Sequence, residues 1–299
     1  MNNLTKEIDA LFRLIDDPQP VVQNAVLDRL YEYGEDAIPV LYDFVETNEG
    51  ENRERVNDFV RQTRIRLATA RMAEVFEKPD SLVDLEYGVS IISKFGHPEV
   101  DTDVLSTRLD EMANDISVLA GSRSTPFERF MRMRSYLFSE LGYVGNREDY
   151  YNPDNSYLNK VLDYRKGIPI SLSVLMMLLG KRLQVPLQGI GMPMHFLLQY
   201  DDGTRMFYID PFTSGMIITS EQCETMLASS GIKLTPDMLS PVSNRDILER
   251  MWRNLYLAYQ QKEDEANAAL VADLLKFVSP EFEMNDPRDD DEDDEEEEF

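Results

Sequence analysis

From Ile170 to Leu183 the chain is apolar almost all the way round a helical projection. Such a helix has no face to give to water, so the rest of a domain must close around it. Gly167-Ile-Pro169 stops the segment before it, and Pro169 suits a first helical turn. The first turn of the helix carries N–H groups without intrahelical partners, at its positive end, where an anion or thiolate is stabilised. Ser171 and Ser173 lie in that turn, roughly 200° apart at about 100° per residue, so a cleft at the helix end meets only one of them. Ser171 is the nearer to the free N–H groups, which could serve an oxyanion there. A serine in that place becomes a nucleophile only beside a positioned base.

Two apolar, aromatic-rich runs follow, Phe196–Tyr200 and Met206–Ile209, with Asp201-Asp-Gly-Thr204 between them. That pattern predicts a β-hairpin. With Asp202-Gly203 as a two-residue type I′ loop, Asp201 faces Thr204, and His195 faces Asp210 on the same side of the sheet. A one-residue slip would separate them onto opposite faces. The expectation is a His195–Asp210 hydrogen bond across adjacent antiparallel strands. The order along the chain is therefore hydroxyl at a helix start, then histidine, then carboxylate.

The stretches Asn152-Pro-Asp-Asn-Ser-Tyr-Leu-Asn-Lys-Val-Leu-Asp-Tyr-Arg-Lys-Gly-Ile-Pro-Ile-Ser-Leu-Ser, Val185-Pro-Leu-Gln-Gly-Ile-Gly-Met-Pro-Met-His-Phe-Leu and Ile209-Asp-Pro-Phe resemble the SirB-type branch of the transglutaminase-like superfamily. The resemblance covers roughly residues 80–240. It implies an α+β fold, mostly helical, with a papain-like core around a small antiparallel sheet, and commonly a tail of tetratricopeptide-like helices. By resemblance the superfamily's catalytic His and Asp map onto His195 and Asp210. Its catalytic Cys maps near Ile170–Ser171, with no unique position, and neither residue is a cysteine. Asn155, Asn159 and Ile170 are candidates to line the cleft.

The one cysteine of the chain, Cys223, lies downstream of both His195 and Asp210. It follows Thr219-Ser-Glu-Gln222, a capping box that opens a further helix, and reads as a structural cysteine there. A single cysteine allows no internal disulfide, which fits a reducing cytoplasm. There are two histidines and no cysteine pairs, so there is no zinc signature and no cofactor is expected. His97, in Phe95-Gly-His-Pro98, reads as a surface turn residue. The methionines 176, 177, 192 and 194 read as core filler.

The net charge of −26 argues against a generic nucleic-acid binder, which needs a basic face. Asp289–Glu298 is an unbroken run of ten acids, whose removal leaves about −16 on the rest; it reads as a disordered, solubilising segment. No apolar run approaches the ~18 residues of a membrane span, and the first residues lack a signal-peptide core.

Helical periodicity fills both ends. Residues 1–78 read as a HEAT-like helical region. It has a stop at Asp16-Asp-Pro-Gln-Pro20, a helix from Val21 to Leu30, and another opening at Ala37–Leu41. Residues 79–242 read as the transglutaminase-like core, with a helical lead-in to about 120 and a proline-led capping box at Thr125–Glu128. Residues 243–280 read as a tetratricopeptide-like hairpin packing on the core, and 281–299 as the acidic tail. Two functions fit. In the first, a non-catalytic protein holds a protein or peptide partner, a reading favoured by the absent cysteine and the flanking helices. In the second, a hydrolase or acyltransferase uses Ser171, His195 and Asp210.

Overall fold

The computed structural model describes residues 3–12, 14, 17, 19–34, 37, 40, 51–228 and 231–279. The helix expected from Ala37 to Leu41 falls mostly outside these residues, and the acidic run falls wholly outside them. Helices dominate, with two small sheets, as an α+β chain of this pattern should give.

Among the described residues the chain opens with helices α1 (Asn3–Phe12), α2 (Pro20–Glu32) and the long α3 (Glu51–Phe76), and Ala37 and Val40 between the last two are also helical. Asp84 caps α4 (Leu85–Gly96), accepting the N–H of Glu86 and Tyr87, and Asp101 caps α5 (Thr102–Ala120) in the same way. The Thr125 capping box forms as the sequence predicts, with Glu128 as its return partner and Pro126 in the first turn of α6 (Pro126–Arg134). A π-helical turn at 135–140 follows, and Gly142, with φ of +74°, ends the run.

Strand β1 (Val144–Gly145) pairs in parallel with β2 (Lys166–Gly167), which leads directly into the buried helix α8 (Pro169–Leu183). Between them lie a 3-10 turn at 153–156 and the short helix α7 (Leu158–Tyr164). Twelve of the fifteen residues of α8 are buried, as expected for a helix apolar on every side. The larger sheet is a simple meander, β3 (Leu187–Ile190), β4 (Leu197–Asp201), β5 (Met206–Asp210) and β6 (Met216–Ile218). Helix α9 (Ser220–Ala228) opens on the Thr219–Gln222 box, with Gln222 N–H donating to Thr219 Oγ1 at 3.4 Å and Thr219 N–H to Gln222 Oε1 at 2.9 Å. Helices α10 (Asn244–Gln261) and α11 (Glu265–Val278) form the closing hairpin.

The sheet separates two apolar layers. Leu198, Tyr200 and Ile209 face α8 and belong to one buried cluster that runs from Ala68 on α3 to Val278 on α11. Leu197, Tyr208 and Ile218 face the other way, onto Cys223 and Leu227 of α9. The hairpin α10–α11 packs on the body of the protein, α11 against α3 and α10 against α4. Arg245, at the start of α10, fixes that docking: it binds Asp80 Oδ1 at 2.6 Å and the carbonyls of Phe76 and Lys78 at 2.7 and 2.6 Å.

Candidate active site

The start of α8 is built by its own serine. Ser171 Oγ accepts the Ile168 N–H at 3.0 Å and donates to the Ile168 carbonyl at 3.1 Å, and the residue is 2% exposed. No capping side chain is present at Ile168, so the hydroxyl three residues on takes over that role. The preceding glycine is required at this spot: a Cβ on Gly167 would lie 2.7 Å from Ser171 Oγ. Ile170 is buried in the main cluster. Ser173 is fully buried, and its hydroxyl takes no hydrogen bond among the described residues.

The hairpin forms, but in a different register from the one predicted. Asp201 pairs with Met206, and Leu198 with Ile209. The two-residue loop is Gly203-Thr204, one step further along than Asp202-Gly203. Asp202 dictates this: its Oδ1 accepts the N–H groups of Thr204 and Arg205 at 2.9 and 2.8 Å, and its Oδ2 accepts the Tyr200 hydroxyl at 2.8 Å. These bonds hold its pKa well below the usual carboxylate range. Gly203 takes φ of +78° at the first central position, the type II′ requirement. The change moves every pairing by two residues, so side-chain alternation survives and Asp210 falls opposite Leu197 instead of His195.

His195 itself precedes β4. Its N–H closes a turn on the Met192 carbonyl at 3.2 Å, with Met194 at φ +61°. Arg250 of α10 holds that turn, donating to Met192 O at 3.0 Å and lying over the Phe196 ring. Asp210 shares its face of the sheet with Tyr208, the face that looks onto α9 and away from α8. Its Oδ1 accepts the N–H of Phe212 and Thr213 at 2.9 and 3.2 Å, closing an Asx turn. Among the described residues no hydrogen bond joins any two of Ser171, His195 and Asp210.

The two asparagines part company. Asn155 is buried and tied on every side: its Nδ2 donates to the carbonyls of Asp149 and Tyr150 at 2.7 and 2.8 Å, and its Oδ1 accepts from Asn146 at 2.9 Å. Asn146 N–H in turn binds the Gly167 carbonyl at 2.9 Å, linking this loop to the strand that feeds α8. Asn159 is buried, and its Oδ1 takes no hydrogen bond among the described residues. A shallow cleft of about 280 Å³ opens at the head of α8, floored by Ile168 and walled by Tyr150, Tyr151, Ser156, Asn254 and Leu257. The sequence reading missed Tyr150, Tyr151 and Asn254; only the packing of α10 against the 150–156 loop brings them together.

The thiol sits apart from the head of α8. Cys223 is 0% exposed, and burial, reinforced by the nearby Asp210 charge, pushes its pKa up to about 11. Among the described residues no cluster of His, Cys, Asp and Glu has the makings of a metal site.

The family model described as "Transglutaminase-like superfamily" matches residues 103–253, from α5 into α10. The chain belongs to the transglutaminase-like superfamily. Similar proteins include a UPF0162 protein of Xylella fastidiosa, 33% identical over 208 residues, which span 67% of this chain and 73% of the relative. A UPF0162 protein of Vibrio cholerae is 31% identical over 206 residues, 67% of this chain and 74% of the relative. F-box only protein 21 of Homo sapiens is 34% identical over 151 residues, 48% of this chain but 24% of that protein. No solved structure matches. No helix among the described residues is long and apolar enough to cross a membrane.

Proposed function

We propose that this transglutaminase-like protein is a non-catalytic, cytoplasmic binding factor of the SirB-type branch that holds a protein or peptide partner at the head of α8. The observation carrying this reading is the closed hydroxyl of Ser171. Its one proton is donated to the Ile168 carbonyl and its oxygen accepts the Ile168 N–H, in a buried position. A nucleophile needs a base within hydrogen-bond reach, and the His195–Asp210 hydrogen bond is not formed. The cleft beside it, apolar at its floor and edged with tyrosine and asparagine, is of the kind that accepts a side chain of a partner.

In this reading residues 1–78 are a HEAT-like region, 79–242 the core, 243–280 a tetratricopeptide-like hairpin and 281–299 an acidic tail, with no role for nucleic acid or membrane. In the human relative the matched region is about a quarter of a longer chain, which favours use of this domain as a module among others. Where the protein to be a hydrolase or acyltransferase instead, Ser171 would have to leave Ile168 and find His195. A panel of serine-reactive fluorophosphonate and acyl probes tests this directly. We expect no labelling of the folded protein. Stoichiometric labelling at Ser171, abolished in His195→Ala, would overturn the non-catalytic reading.

A further inference from the structure

The hydrogen-bonding groups around the cleft at the head of α8 are unevenly spent, and that limits what can fill it. None of the residues lining the cleft is charged, in a chain with 56 acids and 30 bases. A charged side chain seated there would lose hydration and find no counter-ion among the lining groups. The walls are rings. Tyr150 and Tyr151 meet at 78° with centroids 5.2 Å apart, forming a corner beside the apolar surface of Ile168, Leu257 and Ala258. Phe212 packs edge-on against Tyr150 at 5.9 Å.

The acceptors around this corner are already engaged. The carbonyls of Asp149 and Tyr150 accept from the Asn155 carboxamide, and the Asn152 carbonyl accepts the Asn155 backbone N–H at 2.9 Å. Asn152 Oδ1 accepts the Asp154 N–H at 3.0 Å. The Ile168 carbonyl holds both the Leu172 N–H and the Ser171 hydroxyl, each at 3.1 Å. Two lining groups are not engaged: the hydroxyl of Ser156, a residue 2% exposed, and the carboxamide of half-buried Asn254 make no hydrogen bond among the described residues. Together they offer three protons, one on oxygen and two on nitrogen. The matching ligand is uncharged, apolar in its side chains, and supplies carbonyl oxygens while bringing few N–H groups of its own. A proline-rich chain has that chemistry. Each residue presents a carbonyl, and the proline nitrogen carries no proton. Its polyproline II helix exists before binding, so little order has to be gained, and aromatic-lined grooves are the surfaces that read it. We propose that the cleft at the head of α8 binds a proline-rich segment of the partner in the polyproline II conformation. A pyrrolidine ring sits in the Tyr150–Tyr151 corner, and Asn254 and Ser156 donate to carbonyls of the segment. The assignment rests on the binding reading above and names the chemistry of the partner at that same site.

Fluorescence anisotropy of dye-labelled decaproline, titrated with the full chain, tests this against a labelled glycine-serine decapeptide. Decaproline should bind saturably and roughly tenfold tighter than the control, which is flexible and carries an N–H on every residue. Tyr151→Ala removes one wall of the corner and should weaken decaproline roughly fivefold or more. Asn254→Asp is the sharper variant, because it keeps the shape and replaces two donors by acceptor lone pairs. Decaproline affinity should fall roughly fivefold, whereas a segment that brings N–H groups would gain. Asn254→Leu removes the donors without adding a charge and should lose affinity as well. Circular dichroism and the thermal midpoint report that each variant is folded. Should Tyr151→Ala fail to fold, the two Asn254 variants decide alone. Equal binding of the two peptides, no saturable binding of decaproline, or an undiminished or increased affinity in folded Asn254→Asp would overturn the proposal. Equal binding that still falls in Tyr151→Ala would overturn the proline assignment and leave the cleft a peptide site. The non-catalytic reading falls on a different measurement, the labelling of Ser171 by serine-reactive probes.

Discussion

His97 Nε2 lies 3.0 Å from Asp154 Oδ1, and its Nδ1 lies 3.5 Å from Glu99, while the ring meets Tyr157 edge-on with centroids 5.0 Å apart. This histidine ends α4, and the carboxylate belongs to the 3-10 turn that walls the cleft at the head of α8. The contact with His97 lowers the Asp154 pKa, chiefly by hydrogen bonding. A carboxylate depressed in the fold stabilises it above the unfolded value near 3.9, and that stabilisation is lost as pH falls through the folded value. Asp154→Asn should therefore flatten the acid limb of the stability curve. Urea midpoints at pH 5.5 should show a screened loss of about 0.5 kcal/mol, and the gap to the unaltered protein should close near pH 2.5. A gap that widened on acidification would contradict the pairing.

Arg182 of α8 is the hinge-pin of a second, stronger cluster. It binds both oxygens of Glu86 at 2.8 Å, Asp110 at 2.6 Å and Ser106 at 3.1 Å, tying α8 to α4 and α5. The guanidinium holds the Glu86 pKa below the usual carboxylate range. By the same sign argument, its contribution is present above about pH 4.3 and disappears as pH falls below that. Glu86→Gln should cost about 1 kcal/mol at pH 7, after allowance for partial exposure, and almost nothing near pH 2.5. Arg182→Lys should recover little, because an ammonium cannot hold both oxygens in a fork. Denaturant unfolding of the three proteins at both pH values checks this.

Ser171→Ala removes the group that closes the first turn of α8, leaving the Ile168 N–H buried without a partner. A loss of about 1 kcal/mol in urea unfolding is expected, with partner affinity unchanged. Ser173→Ala removes a buried hydroxyl with no hydrogen bond among the described residues, so it should be neutral or stabilising. A bulky Ser171→Trp should disturb the head of α8 and weaken partner binding. If Ser171→Ala left stability unchanged while abolishing an activity, the hydroxyl would be a nucleophile and not a cap.

Cys223 should be inert in the native state. Its thiol is buried under the sheet and titrates at about 11, so a neutral disulfide reagent at pH 8 should react no faster than the protein opens, and stoichiometrically in denaturant. Fast native-state labelling would show that α9 does not hold its thiol closed against the sheet.

The sequence by itself determined the local elements whose causes are local. The capping boxes at Thr125–Glu128 and Thr219–Gln222 form because each side chain meets backbone a turn away. The burial of α8 follows from a helix with no polar face, and the meander follows from alternating apolar strands joined by short turns. The superfamily resemblance rested on the stretches Asn152–Ser173, Val185–Leu197 and Ile209–Phe212, which lie within the matched residues 103–253. Tertiary structure decided what depends on competition between partners. Asp202 could sit inside the loop or brace it, and the hydroxyl of Tyr200 together with two backbone N–H groups settled on bracing, moving the register by two residues. Which histidine found a carboxylate was likewise decided at a distance: Asp154 lies 57 residues from His97. No periodicity records such a meeting, because it depends on how α4 and the 153–156 turn pack, not on the spacing of residues along either one.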